Sequence, residues 1–276
     1  MGRQIGHAIV SFNPPLITTN LLDAAGHVLA TVRSAGSWSI TKGLFAYNSA
    51  GELIAETNAL GGLTTYSESV DPNGQRLRSI VYPDAGTRIE LYYRDGQLAK
   101  LTGTAVNPVR YEYGVEQDDN TWRIFRKEIK LDANYADTPE WTKTLTDMLG
   151  RNCKTLYTAA SAPYPCRELF YNNRGQLWKE RDPDGVVTLY GYDTQGQQIH
   201  TAIDLNRNDK IDCAGSDRIS WTTNDLTSYS GQTVKRTRRL VFTANDSAAT
   251  TVVSATLTGI SSLKSWEIVY RDSATP

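Results

Sequence analysis

The sequence predicts an all-β protein built of tandem antiparallel β-hairpins, and three observations carry that prediction. A short motif recurs as Tyr47-Asn48-Ser49-Ala50-Gly51, Tyr93-Arg94-Asp95-Gly96, Tyr171-Asn172-Asn173-Arg174-Gly175 and Tyr192-Asp193-Thr194-Gln195-Gly196. Self-similarity at a period of about 20 to 50 residues marks one small unit stacked many times, unable to bury a core alone. Turn glycines then give the period, and the composition, with 15 Tyr, much Thr and Val and no amphipathic stretch of helical length, favours strands.

Gly26, Gly51, Gly74, Gly96, Gly150, Gly175 and Gly196 are separated by 25, 23, 22, 54, 25 and 21 residues, so the long gap holds two units with room for an insertion. Each follows a short polar cluster, such as Asp71-Pro72-Asn73-Gly74, which suits a turn needing positive φ at its last position. A polar residue, an apolar pair and then charged residues come next, as in Gly51-Glu52-Leu53-Ile54-Ala55-Glu56 and Gly175-Gln176-Leu177-Trp178-Lys179-Glu180. Two units carry a second turn, Asn58-Ala59-Leu60-Gly61-Gly62 and Asp182-Pro183-Asp184-Gly185, before a return strand ending in Tyr66 or Tyr190. One unit is therefore one hairpin.

The segment Thr138-Pro139-Glu140-Trp141 has helix-start chemistry, but Trp141-Thr142-Lys143-Thr144-Leu145-Thr146 is β-prone and runs into a repeat turn, so strand is assigned. An array adds units to one continuous sheet without starting new cores, so residues 1–276 are expected to form one domain. It comprises a leading strand region (1–21), repeats (22–203), a candidate calcium loop (204–217) and divergent hairpins (218–276).

The pattern of Tyr-Asp, polar residues, Gly, a polar residue and Leu, then a second turn and a strand ending in Tyr, resembles the YD-repeat or RHS-repeat family. That family includes bacterial RHS, Tc-toxin shell and wall-associated repeat proteins. The best copy runs from Tyr171 to Tyr192, and six or seven copies in tandem cover roughly residues 22 to 203, with Asn48 and Asn172 replacing the Asp and Asp147 lacking a preceding Tyr. The resemblance implies one long curved sheet, a shell strip, with no catalysis of its own, in a secreted or cell-surface bacterial protein. Its partners would be neighbouring repeats or domains of a larger polypeptide, an enclosed polypeptide cargo, or glycans. The family's self-cleaving site uses Asp-Pro-X-Gly-Leu elements; here Gln75 and Val186 stand where Leu is needed, in ordinary repeat turns. Met1 to Val10 does not read as a secretory signal, and a segment of a larger protein is expected.

A net charge of −1 gives no field to attract nucleic acid or an anionic membrane, and no stretch is apolar for the length of a bilayer. The basic run Lys235-Arg236-Thr237-Arg238-Arg239 leads into Leu240-Val241-Phe242 and reads as a solvated strand; the acidic run Glu116-Gln117-Asp118-Asp119-Asn120 reads as an exposed loop. Cys153 and Cys166 could meet across one hairpin, but an odd count without metal-like spacing makes three separate thiols, with Cys213, the default. His27 and His200 fall at repeat positions, and no catalytic fingerprint appears. Asn245-Asp246-Ser247 is a formal glycosylation acceptor, incidental in a bacterial hairpin turn.

Chemistry concentrates at Asp204-Leu205-Asn206-Arg207-Asn208-Asp209-Lys210-Ile211-Asp212. Side-chain oxygens at Asp204, Asn206 and Asn208, an apolar Ile211 and a further carboxylate at Asp212 match the first nine positions of a calcium loop, with the Lys210 carbonyl filling one vertex. Asp209 stands at the turning position where Gly is usual, and Asp is among the few residues that visit the left-handed region. Gly215 stands where a bidentate Glu is expected, so Asp217 is the substitute. A carbohydrate-binding or adhesion module is the alternative function, with Trp178, Tyr190 and Tyr192 exposed to stack on a glycan.

Overall fold

Period-two alternation and turns that close by local hydrogen bonds produce strands throughout. The computed structural model describes residues 4–9, 13–242 and 248–270, and among these there are 21 strands and no helix. The sequon at Asn245-Asp246-Ser247 and the start of the chain at 1–3 lie outside the described residues. Contacts cluster into two compact units, Met1–Tyr113 with Arg126–Trp141, and Gly114–Phe125 with Thr142–Pro276.

The first unit holds β1 (Gln4–Ile9), β2 (Leu16–Leu22), β3 (Val28–Ala35), β4 (Trp38–Tyr47), β5 (Leu53–Asn58), β6 (Leu63–Val70), β7 (Arg76–Val81), β8 (Thr87–Tyr92) and β9 (Leu98–Thr102). Three long strands, β10 (Val109–Asp118), β11 (Thr121–Leu131) and β12 (Asp137–Thr146), give residues to both units. The second unit adds β13 (Asn152–Tyr157), β14 (Cys166–Tyr171), β15 (Leu177–Arg181), β16 (Val187–Tyr192), β17 (Gln198–Ile203), β18 (Arg218–Tyr229), β19 (Gln232–Phe242), β20 (Thr250–Gly259) and β21 (Ser265–Val269). In the first unit β1 to β10 pair consecutively and antiparallel. In the second, β12 to β21 do the same. The segment at 138–141 is strand, within β12.

The repeat turns share one geometry. In the turn at Asp193, the Gly196 N–H donates to the Asp193 carbonyl at 3.1 Å and the Asp193 N–H to the Gln197 carbonyl at 2.9 Å. This is a type I turn followed by a left-handed residue in a G1 bulge. The seven glycines that set the period all sit there, with φ between +76 and +96°. The Asx residue that opens the turn clamps it: Oδ1 of Asp193 accepts the N–H groups of Gln195 and Gln197 at 2.9 and 2.8 Å. Asn48, Asn58, Asp71, Asp132, Asp147, Asn172 and Asp182 each accept the same pair of amides, two and four residues on, at 2.7 to 3.0 Å. Asn therefore replaces Asp without loss, because only one acceptor oxygen is needed.

A second irregularity lies three residues after the turn glycine. The ladder skips Leu29, Ile54, Ala99, Cys153, Trp178 and Ile199, each an extra residue opposite one on the preceding strand. The residue just before each bulge lies beyond the ladder to the next strand, and in four of the six a following tyrosine reaches it. Tyr47 OH donates to the Val28 carbonyl at 3.1 Å, Tyr113 to Leu98 at 3.0 Å, Tyr171 to Asn152 at 2.9 Å and Tyr192 to Leu177 at 2.6 Å. The recurrent Tyr thus ties one hairpin to the one before it.

The long glycine gap contains a turn the period missed. Tyr135, at φ +61°, occupies the glycine position of the turn opened by Asp132, and Ala85, at φ +64°, does so in the turn at Tyr82. The acidic run is not an irregular loop: it ends β10, and Asp119 and Asn120, at φ +45 and +60°, form a two-residue hairpin turn. Glu116 and Asp118, alternate residues of one strand, pair with Lys143 and Lys154. The basic run lies in β19, as a solvated strand should, with Arg236 and Arg238 on Asp225. All three thiols are free; Cys153 donates to the Leu145 carbonyl and Cys166 lies opposite Leu156.

Two substitutions test the turn with opposite sign. Gly175→Val and Gly196→Val, at φ +79 and +87°, should each destabilise by about 1–3 kcal/mol, because a β-branched residue is strained there. Ala85→Gly should stabilise by up to about 1 kcal/mol by relieving a left-handed alanine. Denaturant midpoints read both; equal midpoints for wild type and all three variants would contradict the assignment.

Candidate calcium loop and aromatic site

The connection between β17 and β18 is the long polar loop 204–217, and its ends are pinned before its middle is considered. Asp204 and Asp217 are 4 and 7 % exposed. Buried carboxylates need donors, and these find backbone amides. Asp204 accepts the N–H of Asn208 at 3.3 Å and of Asp209 at 2.9 Å, and Asp217 those of Leu205 and Asp212, both at 3.1 Å. Asp217 therefore joins the two ends of the loop. Asp209 adopts φ +59°, the left-handed turn expected at its position, and Arg207 does the same.

The middle residues converge. Nδ2 of Asn206 and of Asn208 both donate to Oδ2 of Asp212, at 2.8 and 2.6 Å. Those two donors, more than the Lys210 charge, hold the Asp212 carboxyl below its ordinary value. The Lys210 N–H donates to Oδ1 of Asn208 at 2.8 Å. Oδ1 of Asn206 likewise accepts the Asn208 N–H at 3.2 Å, so presenting these amide oxygens to a cation would require each amide to turn away from its main-chain donor. Among the described residues no three His, Cys, Asp or Glu side chains form a group able to hold a metal ion, so a cation here would draw on the Asn amides and a main-chain carbonyl.

The loop also packs. Ile211 and Cys213 lie against the buried cluster of Val187, Leu189, Ala202 and Ile219, on β16, β17 and β18. Lys179, 7 % exposed, reaches Asp209 at 2.8 Å, its ammonium 4.3 Å from the Phe170 ring and 5.0 Å from that of Trp178. Sequence reasoning passed over Lys179 because a charged residue after an apolar pair is ordinary in every repeat.

The aromatic residues expected at the surface are half-buried instead. Trp178 is the extra residue of the β15 bulge, which breaks the in-out alternation, and its side chain packs on the Leu189 cluster. The Tyr190 hydroxyl donates to Glu180 at 3.1 Å and that of Tyr192 to the Leu177 carbonyl. Burial, foremost, raises both phenols above their usual range. The more exposed aromatic side chains include Trp38 and Trp122.

Hairpins of this kind, joined by clamped turns and tyrosine bonds, define a tandem β-hairpin repeat protein. Residues 171–205 match the family model for the RHS Repeat, and the chain carries an RHS repeat there. Among curated proteins no sequence matches this one. Solved structures similar to the chain include the crystal structure of TcdB2-TccC3, at 12 % identity and a TM-score of 0.36, covering 90 % of this chain and 16 % of that one. A Tc holotoxin pore of Photorhabdus luminescens is similar at 13 % identity and a TM-score of 0.34, over 88 % of this chain and 17 % of that one. The chain thus spans about a sixth of the length of these structures.

Acid titration probes the aromatic site. The Arg167 guanidinium, 2.6 Å from Glu180, holds that carboxyl below its ordinary 4.5, and the Tyr190 hydroxyl adds to the effect. A carboxyl depressed in the folded state contributes stability that is full above the unfolded value and lost as pH falls through the folded one. Wild type should therefore lose stability below pH 4.5 more steeply than Glu180→Gln; parallel curves of melting temperature against pH would contradict the pairing.

Proposed function

We propose that this chain is a non-enzymatic structural segment of an RHS-repeat shell or surface protein, part of a larger secreted or cell-surface bacterial polypeptide. The observation that carries the reading is where the recurrent residues go. Each repeated Asx closes its own turn and most of the repeated tyrosines bond the previous hairpin, so repetition extends a framework and multiplies no reactive group. A framework that adds hairpins one after another suits an enclosing wall, with neighbouring repeats and an enclosed polypeptide as its partners. In the polypeptide that carries this segment, Gly175→Val with Gly196→Val should make enclosed sequence sensitive to protease at concentrations that spare the wild type. Equal protection in both would count against a wall.

Within that role we propose that the 204–217 loop takes calcium through Asp204, Asn206, Asn208 and Asp212, with the Lys210 carbonyl, while Asp217 braces the loop. The gathering of Asn206, Asn208 and Asp212 in one tight turn, with Asp209 in the left-handed region, supports it. An ion that binds only the folded state raises its stability, and calcium accepts irregular oxygen cages that magnesium rejects. Millimolar calcium should raise the melting temperature of chelator-stripped protein and magnesium should do less, with Asp212→Ala abolishing the shift. No calcium uptake by calorimetry would leave the loop as a polar strap alone.

A further inference from the structure

The hairpin of β18 and β19, in the second unit, outruns the strand beside it. β17 pairs with β18 from Arg218 to Trp221 and stops, whereas β18 continues to Tyr229. Beyond that point the turn at 193–197 stands off from β18, and a hollow of about 690 Å³, lined by Gln195, Gln197, Thr222, Asn224 and Leu226 among others, separates them. One side of β18 is therefore an open edge.

The hairpin turn decides which main-chain groups face it. Tyr229 and Gln232 lie opposite each other across Ser230 and Gly231, at φ +48 and +74°, in a two-residue type I′ turn. Residues flanking such a turn exchange both ladder bonds, and bonded and unbonded pairs then alternate along the strands. Tyr229, Thr227, Asp225 and Thr223 accordingly bond β19, while Ser228, Leu226, Asn224 and Thr222 direct N–H and C=O outward. Among the described residues none of these outward main-chain groups has a hydrogen-bond partner.

Native edges are blunted by Lys, Pro or a bulge. From Thr222 to Tyr229 there is no Lys, Pro or Gly, and the ladder to β19 runs without a register shift. The one charged residue there is Asp225, already held by Arg236 at 2.6 Å and Arg238 at 3.4 Å. Leu226 stands midway along the edge, 67 % exposed.

Symmetry selects the occupant. An antiparallel edge that pairs with its own copy does so about a twofold axis, and the axis must pass where a residue lies opposite itself, because facing pairs alternate in type. An axis at Asp225 would set carboxylate against carboxylate. One at Asn224 would set Ser228 against Ser220, which already pairs with Thr201 of β17. One at Leu226 sets Asn224 against Ser228 and Asp225 against Thr227, so no like charges meet, the outward groups bond each other, and the two leucines cover one another. We infer that β18 pairs edge to edge with β18 of a second copy of this chain, about a twofold axis at Leu226. The inference goes beyond the structural role proposed above without depending on it.

Sedimentation velocity of the whole purified chain over a concentration series should show a reversible dimer. Its dissociation constant should rise about tenfold or more in Leu226→Lys, which sets two ammoniums at the axis, and in Leu226→Pro, which removes an outward N–H that β19 does not use. Hydrogen exchange on the unaltered chain keeps the inference exposed to failure if either variant does not fold. The amides of Asn224, Leu226 and Ser228 should gain protection only at concentrations where the dimer forms, whereas those of Asp225 and Thr227 should be protected throughout. A chain that stays monomeric over the series, a dimer that both variants leave intact, or a dimer in which the Asn224 and Leu226 amides exchange freely would overturn it. None of these outcomes bears on protease protection by a wall.

Discussion

A single acceptor oxygen at the head of eight of the turns is the constraint on which the rest depends. An exposed hairpin tip would otherwise leave two inward amides to compete with water, and the strand that follows would lose its register. An Asx side chain satisfies both amides at once, and its own main chain closes the type I turn. Removing such an acceptor costs about 1–3 kcal/mol where the donors cannot rehydrate. The clamp recurs in eight turns, while the largest side chains below 2 % exposure among the described residues are Leu145, Leu189 and Val234.

Register then propagates through the bulge and the tyrosine. At six turns an extra residue ends the ladder early and leaves a carbonyl beyond it, and at four of them a following tyrosine supplies the missing donor. Tyr192 on Leu177 and Tyr171 on Asn152 show the same relation one repeat apart. Such a bond is worth about 0.5–1.5 kcal/mol, modest alone, but it links each hairpin to its predecessor and so carries order along an array. The bulge that requires it also displaces Trp178 onto the Leu189 cluster, so the same irregularity shapes both register and packing.

What the sequence revealed and what it hid follow from this division of labour. Gly26, Gly51 and their successors were legible because positive φ selects glycine so strongly. Ala85 and Tyr135 were not, since there the main-chain bonds of the turn, joined at Tyr135 by the Asp132 clamp, hold a non-glycine residue in the same strained conformation. The acidic run concealed a strand because Glu116 and Asp118 find lysines only through tertiary contact. Trp178 read as exposed because a bulge shifts which residues face inward, and no composition signal marks a bulge. In the 204–217 loop, the left-handed turn at Asp209 was foreseeable from residue type, whereas the bond from Lys179 depends on a strand some 30 residues away.

Native-state hydrogen exchange tests the clamp most directly, because it reads the amides that the Asx oxygens hold. The N–H groups two and four residues after each Asx, such as Arg174 and Gln176 or Gln195 and Gln197, stand at hairpin tips where unbonded amides exchange fast. The account predicts that they are protected as strongly as the adjoining strand amides, and that Asp193→Ala removes protection from Gln195 and Gln197 first. Exchange of those amides at the rate of an unstructured peptide in the wild-type protein would contradict it.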